Sequence, residues 1–456
     1  MKRLTRFCAA LLVTASMWIH SVAQESRPPI TQTDAKSYKN LSLKLRATLI
    51  GHESQVDGLA FSRNGEFLAT ASYSDNATRL WSTATGRLIA EVDGRGPEFS
   101  PDGHVLMTVS NKTVKLWNST GKLKLALTGH ERDITAATFS PDGTQLATGS
   151  EDGTVKIWNT NTGQTSVTLT VWKVKKIPRF RIISRALNIP VEVYVKFSPD
   201  QHTVLTNTYW EESSAKLWDV SAGRLQAELS GPTQQVLYDT KVAGVTDASF
   251  SPDGKFIATQ SYNTLRLWDA ATGKLIEEFK SLSYVTPFSP DSKWLGFVRS
   301  SQYDGLFNLE NLTVQPIGDV EKDYASQQGF SPDSRTYVIA SGYKNHHATL
   351  IDIATGRVRA KIPLVSKWGF DIVSEYRKEV DILSFHPSSK ILMGANHSSV
   401  KMWDVLNGEL VWQTTEGRDP AEFSRDGRLL ATVGKDKKTV LLWEMLNNTS
   451  PDLSSD

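Results

Sequence analysis

Few side chains of this 456-residue chain stand at the spacings that catalysis or metal binding requires. The sequence lacks a His-Glu-x-x-His zinc motif, a Gly-x-Ser-x-Gly nucleophile turn, a Gly-rich phosphate loop and a Cys pair. Its one His doublet, His346-His347, is a poor metal pair, because adjacent side chains of a strand point to opposite faces. His386 and His397 are isolated and are expected to be structural or exposed. These residues predict no catalytic site, no metal site and no cofactor.

One segment instead has the composition of a binding loop. No acidic residue occurs between Trp158 and Glu192, and cations alternate there with aromatic side chains. Such a loop suits an acidic protein or another anionic polymer, whereas the alternative is a solvated hairpin that covers a sheet edge. A later segment adds two aromatics, which either contact the same partner or pack onto their own sheet. The candidate partner-binding residues are Trp172, Lys173, Lys175, Lys176, Arg179, Phe180, Arg181, Arg185, Trp368 and Phe370.

An internal repeat supplies the elements that must position these residues. A Phe followed by Ser-Pro-Asp-Gly, or a variant of it, recurs nine times, and an anchor residue follows each Phe after 18 to 21 residues. So narrow a range indicates nine copies of one structural unit. The Phe residues are Phe61, Phe99, Phe139, Phe197, Phe250, Phe288, Phe330, Phe385 and Phe423. The anchors are Trp81, Trp117, Trp158, Trp218, Trp268, Phe307, Ile351, Trp403 and Trp443.

The third unit shows most clearly what each copy folds into. A short apolar strand ends at Phe139, and Ser-Pro-Asp-Gly then forms a turn, since Pro fixes φ near −65° and Gly accepts positive φ. Two further strands follow, the second ending at Trp158, and a turn at Gly163 leads to a fourth. Four strands repeated about every 40 residues form one antiparallel sheet per unit. Arranging these sheets in a ring lets neighbours cover each other's faces, which predicts an all-β propeller.

The units resemble WD (tryptophan–aspartate) repeats. Trp218-Asp219, Trp268-Asp269 and Trp403-Asp404 match the name-giving dipeptide, and Gly51-His52 and Gly129-His130 match its opening Gly-His. The resemblance implies a hydrogen-bonded set of His, Ser or Thr, Asp and Trp within a blade. That set corresponds here to His130, Ser150, Asp152 and Trp158 in the third unit, and to His52 and Trp81, with Asp75, in the first. The sixth and seventh units, with Ser-Pro-Asp-Ser turns and no Trp, look more like TolB-type propeller repeats.

Nine units predict a single closed propeller of nine four-stranded blades, with eight blades as the alternative. The ninth unit lacks a fourth strand, and the start of the propeller has a spare one at residues 43–49. We therefore expect the N-terminal strand to complete the last blade, because an unclosed ring would expose two bare sheet edges. The expected domains are a signal peptide at 1–23, a flexible linker at 24–41, the propeller at 42–445 and a flexible tail at 446–456.

The first 23 residues have the features of a secretory signal. Three cations precede a mostly apolar run from Phe7 to Ile19, and Ser21-Val22-Ala23 follows, which predicts cleavage after Ala23. An uncleaved anchor and a cytosolic start are the alternatives. Cleavage would remove Cys8, the only cysteine, and change the formal charge from +2 to −1, so composition gives no reason to expect nucleic-acid binding. The mature chain is expected in the periplasm or outside the cell, monomeric and without a membrane span.

Unit spacing indicates where a partner would bind. The distance from an anchor to the next Phe is about 20 residues, but it is 39 after Trp158, 32 after Trp218 and 34 after Ile351. The resemblance places these insertions on the top face of a propeller, where partners commonly bind. We expect a non-catalytic protein-interaction scaffold. The alternative is a propeller enzyme with an axial site, such as a hydrolase, a lyase or a quinone-dependent dehydrogenase; residues 404–412 resemble a quinoprotein docking motif, but no other unit repeats it.

Overall fold

The computed structural model describes residues 41–171, 192–208, 214–230, 235–236, 240–241, 245–261, 264–280, 282–299, 305–318, 325–341, 347–364 and 382–447. Every regular element within these ranges is a β-strand. They contain no helix long and apolar enough to cross a membrane.

Each blade has four strands, which follow one another along the chain except in blade 9. The first strand of the chain is β1 (Leu41–Leu49). Blades 1 to 3 are β2 (Gly58–Phe61), β3 (Phe67–Ser72), β4 (Ala77–Ser82), β5 (Leu88–Asp93); β6 (Arg95–Phe99), β7 (Val105–Ser110), β8 (Thr113–Asn118), β9 (Leu123–Thr128); and β10 (Ile134–Phe139), β11 (Gln145–Ser150), β12 (Thr154–Asn159), β13 (Thr165–Thr170). Blade 4 is β14 (Val193–Phe197), β15 (Thr203–Thr208), β16 (Ser214–Asp219), β17 (Arg224–Ser230), and a two-stranded hairpin of β18 (Gln235–Val236) and β19 (Thr240–Lys241) follows it. Blades 5 and 6 are β20 (Val245–Phe250), β21 (Phe256–Ser261), β22 (Thr264–Asp269), β23 (Leu275–Lys280); and β24 (Leu282–Phe288), β25 (Trp294–Arg299), β26 (Gly305–Asn308), β27 (Thr313–Pro316). Blades 7 and 8 are β28 (Ala325–Phe330), β29 (Thr336–Ser341), β30 (His347–Asp352), β31 (Val358–Pro363); and β32 (Ile382–Phe385), β33 (Ile391–Ala395), β34 (Val400–Asp404), β35 (Leu410–Thr414). Blade 9 contains β36 (Gly417–Phe423), β37 (Leu429–Gly434) and β38 (Val440–Asn447).

The N-terminal strand closes the ring, as the sequence predicts. Blade 9 has the strand order β1-β38-β37-β36, and β1 pairs antiparallel with β38 from Leu41 opposite Asn447 to Leu49 opposite Val440. The nine-bladed prediction is therefore confirmed, and the eight-bladed alternative is excluded. The pairing extends one residue before and two residues beyond the propeller limits expected from the sequence.

Nine apolar clusters hold the blades together, one at each junction. In every cluster the anchor of one blade packs on the sheet of the blade before it, because the anchor's large ring or branched side chain fills the gap between two twisted sheets. Trp158 of blade 3, for example, packs with Met107, Leu116 and Leu127 of blade 2. The closing junction follows the same rule, since Trp81 of blade 1 packs on Val440 and Leu442 of blade 9, among others. Burial of the anchors therefore explains the periodic spacing seen in the sequence.

The turns between first and second strands touch one another around the ring. In blades 6, 7 and 8 the left-handed turn position carries Ser292, Ser334 and Ser389, at φ of 61°, 58° and 63°, where most other blades have Gly. Each hydroxyl accepts a hydrogen bond from the Asp N–H of the preceding blade's turn, at 2.9 Å from Asp253, 3.0 Å from Asp291 and 2.9 Å from Asp333. These bonds offset the strain of a left-handed Ser. The Ser-Pro-Asp-Ser units thus keep the blade geometry of the others.

Candidate functional site

One end of the propeller gathers the crossings between blades and the turns between second and third strands. In blade 1 the Asp75 carboxylate of the turn accepts hydrogen bonds from the Glu53 and Ser54 N–H groups of the crossing, at 3.1 and 3.3 Å. In blade 3 the Glu151 N–H likewise donates to the Asp133 carbonyl. We call this end the insertion face, because the long insertions begin and end there, and the opposite end the turn face. Both ends of the described chain, Leu41 and Asn447, lie at the turn face.

A buried hydrogen-bonded set spans blade 3 at the insertion face. Trp158 Nε1 donates to Thr148 Oγ1 at 2.8 Å, and His130 connects Thr148 Oγ1 at 2.7 Å with the Asp152 carboxylate at 2.8 Å. Thr148 thus occupies the position in the hydrogen-bonded set that the resemblance to WD repeats gave to Ser150. The Ser150 hydroxyl lies two residues closer to the strand end, where it donates to the Arg132 carbonyl at 3.0 Å.

The same Trp-to-Thr bond recurs in five other blades, a relationship that the sequence reasoning missed. The donor–acceptor distances are 2.8 to 3.0 Å, and each Thr is the acceptor for the anchor of its own blade. A Thr in the middle of the second strand of these six blades, often after Ala, was the available signal. The pairs are Trp81–Thr70, Trp117–Thr108, Trp218–Thr206, Trp268–Thr259 and Trp443–Thr432.

Blade 1 contains a different version of the set. His52 Nε2 lies 2.8 Å from Thr70 Oγ1, but its Nδ1 is 2.7 Å from Arg79 Nη1 and 3.4 Å from Asp75. A guanidinium can only donate, so Nδ1 of His52 accepts and the ring is neutral. Burial lowers the pKa of His52, and the Arg79 charge lowers it further. Both histidines are nearly inaccessible, with 1% and 0% of the side chains of His52 and His130 exposed, so their role is structural.

The ten candidate partner-binding residues, Trp172 to Arg185 with Trp368 and Phe370, lie outside the described residues. The described residues at the ends of the first insertion are Val171 and Glu192. The Val171 carbonyl accepts a hydrogen bond from Lys216 Nζ at 2.7 Å. Glu192 lies near Glu151, whose pKa is raised by burial and by the carboxylates of Asp133 and Glu192. The ends of the basic insertion therefore lie near carboxylates and near the cations Arg132 and Lys216.

The sequence reasoning also missed an exposed pair on the insertion face. Tyr73 is 63% exposed, and the guanidinium carbon of Arg95 lies 3.9 Å from the centre of its ring. The signal was an aromatic residue in a turn otherwise made of small polar residues. Within the described ranges, no group of three or more His, Cys, Asp or Glu side chains is placed to hold a metal ion.

Comparison with known proteins agrees with this architecture. The family model described as "WD domain, G-beta repeat" matches residues 43–82, 91–118, 121–159 and 231–269. Human Pre-mRNA-processing factor 17 is 27% identical over 325 residues, covering 67% of this chain and 49% of the relative. Nuclear distribution protein PAC1 of Arthroderma benhamiae (strain ATCC MYA-4681 / CBS 112371) is 26% identical over 375 residues, covering 70% and 76%. Human Apoptotic protease-activating factor 1 is 24% identical over 398 residues, covering 74% and 28%.

The chain spans about half the length of the first curated relatives that it matches. The three names refer to different processes, and none of them states a reaction that the protein catalyses. The matched repeats, the recurring Trp–Thr bonds and the closed ring of nine four-stranded sheets lead to one assignment. The chain is a nine-bladed β-propeller that contains WD repeats.

Proposed function

We propose that this protein is a non-catalytic interaction scaffold that binds another protein on its insertion face. The observation that supports the proposal most strongly is the placement of the three long insertions. All three replace crossings between blades, so they start from the same end of a closed ring. A ring whose nine junctions are packed by apolar anchors is a rigid support, and insertions into a rigid repeat are natural binding sites.

The basic insertion defines the partner's chemistry at one point of this face. Six cations and two aromatics between 172 and 185 favour an acidic protein surface, because aromatic and Arg side chains dominate the energetics of protein interfaces. The acidic groups Asp133, Glu151 and Glu192 lie beside the ends of the insertion. The proposed partner is acidic where it meets the insertion.

The proposal includes export of the protein, which depends on residues 1–23 alone. A basic start, a short apolar run and small residues at 21–23 support a signal peptide cleaved after Ala23. N-terminal sequencing of the protein purified from its host tests this directly. A mature chain that begins at Gln24 agrees with the proposal, and one that begins at Met1 contradicts it.

The binding function is tested by affinity capture from host extract with the full chain and two matched variants. The insertion variant replaces with Ala the six cations Lys173, Lys175, Lys176, Arg179, Arg181 and Arg185. The control variant replaces with Ala six exposed cations of the turn face, Arg87, Lys122, Arg224, Lys255, Lys274 and Arg357. We expect the insertion variant to lose captured proteins that the control variant retains. Equal capture by both variants, or loss with the control alone, contradicts binding at the insertion face.

A further inference from the structure

Tyr73 and Arg95 form a stacked pair at the junction of blades 1 and 2. Tyr73 follows β3 directly, and its N–H donates to the Asp57 carboxylate at 2.8 Å, which fixes the turn that carries it. Arg95 is the first residue of β6, and its guanidinium lies over the Tyr73 ring at 3.9 Å. The pair thus joins a turn of one blade to the inner strand of the next. The stack holds the guanidinium in one place at the surface of the insertion face.

The hydrogen-bond donors of Arg95 are unused within the part of the chain that the structure describes. Its charge lowers the pKa of Asp57, although burial raises that pKa overall, and the distance between the two groups exceeds that of an ion pair. Other arginines differ: Arg79 is paired with Glu91 at 2.8 Å and Arg266 with Glu278 at 2.8 Å. The described residues therefore leave the five N–H groups at the edges of the planar Arg95 guanidinium open to a ligand.

A guanidinium held in this way is suited to bind a carboxylate. Its fork matches two carboxylate oxygens, and stacking on an aromatic ring reduces the side-chain freedom that binding would otherwise remove. Tyr and Arg are also the residue types that most often dominate protein interfaces. An exposed Tyr that carries an Arg with open donors therefore has the composition and the geometry of an interface hot spot.

The surface next to Arg95 can accommodate a peptide. Arg95 pairs in register with Val109 of β7, and the residue after Val109 begins an open depression of about 510 Å³. The charge of Lys115 is balanced by Asp93 at 2.5 Å, whereas Lys112 is exposed. Asp133 is the one acidic residue among those that line the depression. The depression is lined by Ser110, Asn111, Lys112, Thr113, Lys115 and Asp133.

We propose that the Tyr73–Arg95 pair binds a carboxylate side chain of an acidic segment in a protein partner, with the segment extending toward Lys112. This inference rests on the proposed function, because it names the chemistry of a second contact on the same face. The Tyr73–Arg95 pair differs from the basic insertion because it offers one guanidinium held in a fixed orientation, whereas the insertion contributes the charges of six separate cations. The contact should therefore depend on both residues of the pair and resist added salt better than simple attraction does.

The experiment measures binding of fluorescein-labelled hexaglutamate to the full chain by fluorescence anisotropy, with hexaglutamine as the uncharged probe. All proteins carry the six Ala replacements of the insertion variant, so the insertion's cations do not contribute. We expect Arg95→Gln and Tyr73→Leu each to weaken binding by at least about fivefold. Tyr73→Phe should bind as the parent does, because it keeps the stack. Arg87→Gln, a matched change on the turn face, should also leave binding unchanged.

The outcomes separate this inference from the proposed function. If the parent does not bind hexaglutamate better than hexaglutamine, or if Arg95→Gln binds as well as the parent, the inference is wrong even when affinity capture succeeds. If Tyr73→Leu and Arg87→Gln behave alike, the stack has no role and the inference is also wrong. If hexaglutamate binding requires the pair but affinity capture finds no dependence on the insertion face, the proposed function fails while the carboxylate site stands.

Discussion

The Arg79 guanidinium lies 2.7 Å from Nδ1 of His52, whereas the same nitrogen of His130 lies 2.8 Å from the Asp152 carboxylate. The two histidines occupy equivalent positions in blades 1 and 3, yet one faces a donor and the other an acceptor. The hydrogen bonds through His52 therefore run in the opposite direction to those through His130. Nδ1 is the accepting nitrogen of His52, and in the neutral ring of His130 it carries the proton.

Replacing Arg79 with Met should raise the pKa of His52. The change removes the positive charge that lowers this pKa and leaves Asp75 as the remaining partner of Nδ1. Ring nitrogen shifts followed by NMR against pH measure the effect. Lys156→Met in blade 3 is the control, and it should raise the pKa of His130 less, because Arg79 comes directly after burial among the influences on His52, whereas Lys156 comes after burial and Asp152 for His130. An unchanged His52 titration in Arg79→Met would contradict the assigned hydrogen-bond direction.

The sign of the linked stability follows from these shifts. The folded-state pKa of both histidines lies below the ordinary value of 6.5. As the pH falls through that value, the unfolded chain takes up protons before the folded one does. Stability from the neutral rings is therefore complete above pH 6.5 and is lost as the pH falls toward the lowered folded-state values. Arg79→Met should show a smaller loss than the wild type over this range.

Thr148→Val should destabilise the propeller more than Thr259→Val. Both substitutions remove the hydroxyl that accepts the anchor's Nε1–H, which costs about 1–3 kcal/mol when the donor stays buried. Thr148 also contacts His130, so its loss leaves a second buried group without its partner. Urea unfolding of the two variants measures the difference, and Thr148→Ser should recover most of it. Equal losses would show that the His130 contact contributes nothing to stability.

Gly121→Ala should destabilise the protein more than Gly65→Ala. The two glycines have similar backbone angles, φ of 76° and 73°, so the strain of a left-handed Ala is matched. A Cβ on Gly121 would lie 2.1 Å from the Cβ of Ala90 in the preceding blade, whereas a Cβ on Gly65 would meet nothing within 4 Å. Comparing the two variants therefore measures the effect on stability of the contact between blades alone. Thermal unfolding should show a clearly lower Tm for Gly121→Ala, and similar Tm values would mean that the junction can relax.

The contribution of Glu422 to stability should fall as the pH rises through the neutral range. Burial raises the pKa of Glu422, on the inner strand of blade 9, to about 8, and its carboxyl faces the Phe61 N–H of blade 1. Between the ordinary value of 4.5 and about 8 the folded state holds the proton more tightly than the unfolded chain, so stability falls with rising pH.

Glu422→Gln tests this pH dependence. The difference in Tm between Glu422→Gln and the wild type should shift in favour of the variant as the pH rises from 5 to 8, a window set by the shift of Glu422. Glu98, whose pKa burial also raises, will contribute until it is replaced as well. Glu277→Gln, at an exposed carboxyl, is the control and should leave the slope unchanged. A Glu422→Gln protein with the wild-type slope would contradict the assignment.

The blades could be predicted from the sequence because the residues that determine each blade lie close together along the chain. Phe and anchor spacing, Pro and Gly in turns and a spare N-terminal strand led to nine blades and to the closure between β1 and β38. Contacts between side chains of different strands were harder to predict from the sequence. Ser150 and Thr148 lie on one face of β11, and only the register shows which one reaches Trp158 and His130.

Contacts between blades could not be predicted at all from a single unit. Ser334 in a left-handed turn looks like a weakened repeat until the Asp291 N–H of the neighbouring turn is placed 3.0 Å from its hydroxyl. Tyr73 and Arg95 belong to different units, 22 positions apart, and no periodicity joins them. The candidate residues of the basic insertion stay predictions, because they lie outside the described residues.

The pairing of β1 with β38 also governs how the ring can form during synthesis. Leu49 leaves the ribosome long before Val440, its partner in the sheet, so β1 must wait for almost the whole chain. Until then β1 lacks the partner of its final sheet, and the inner face of blade 1 has no blade 9 to cover it. Contacts this distant in sequence slow folding and expose strands to aggregation. A permuted gene that begins at residue 53 and joins residue 447 to residue 41 through a short turn would make β1 and β38 neighbours in the chain and should fold faster.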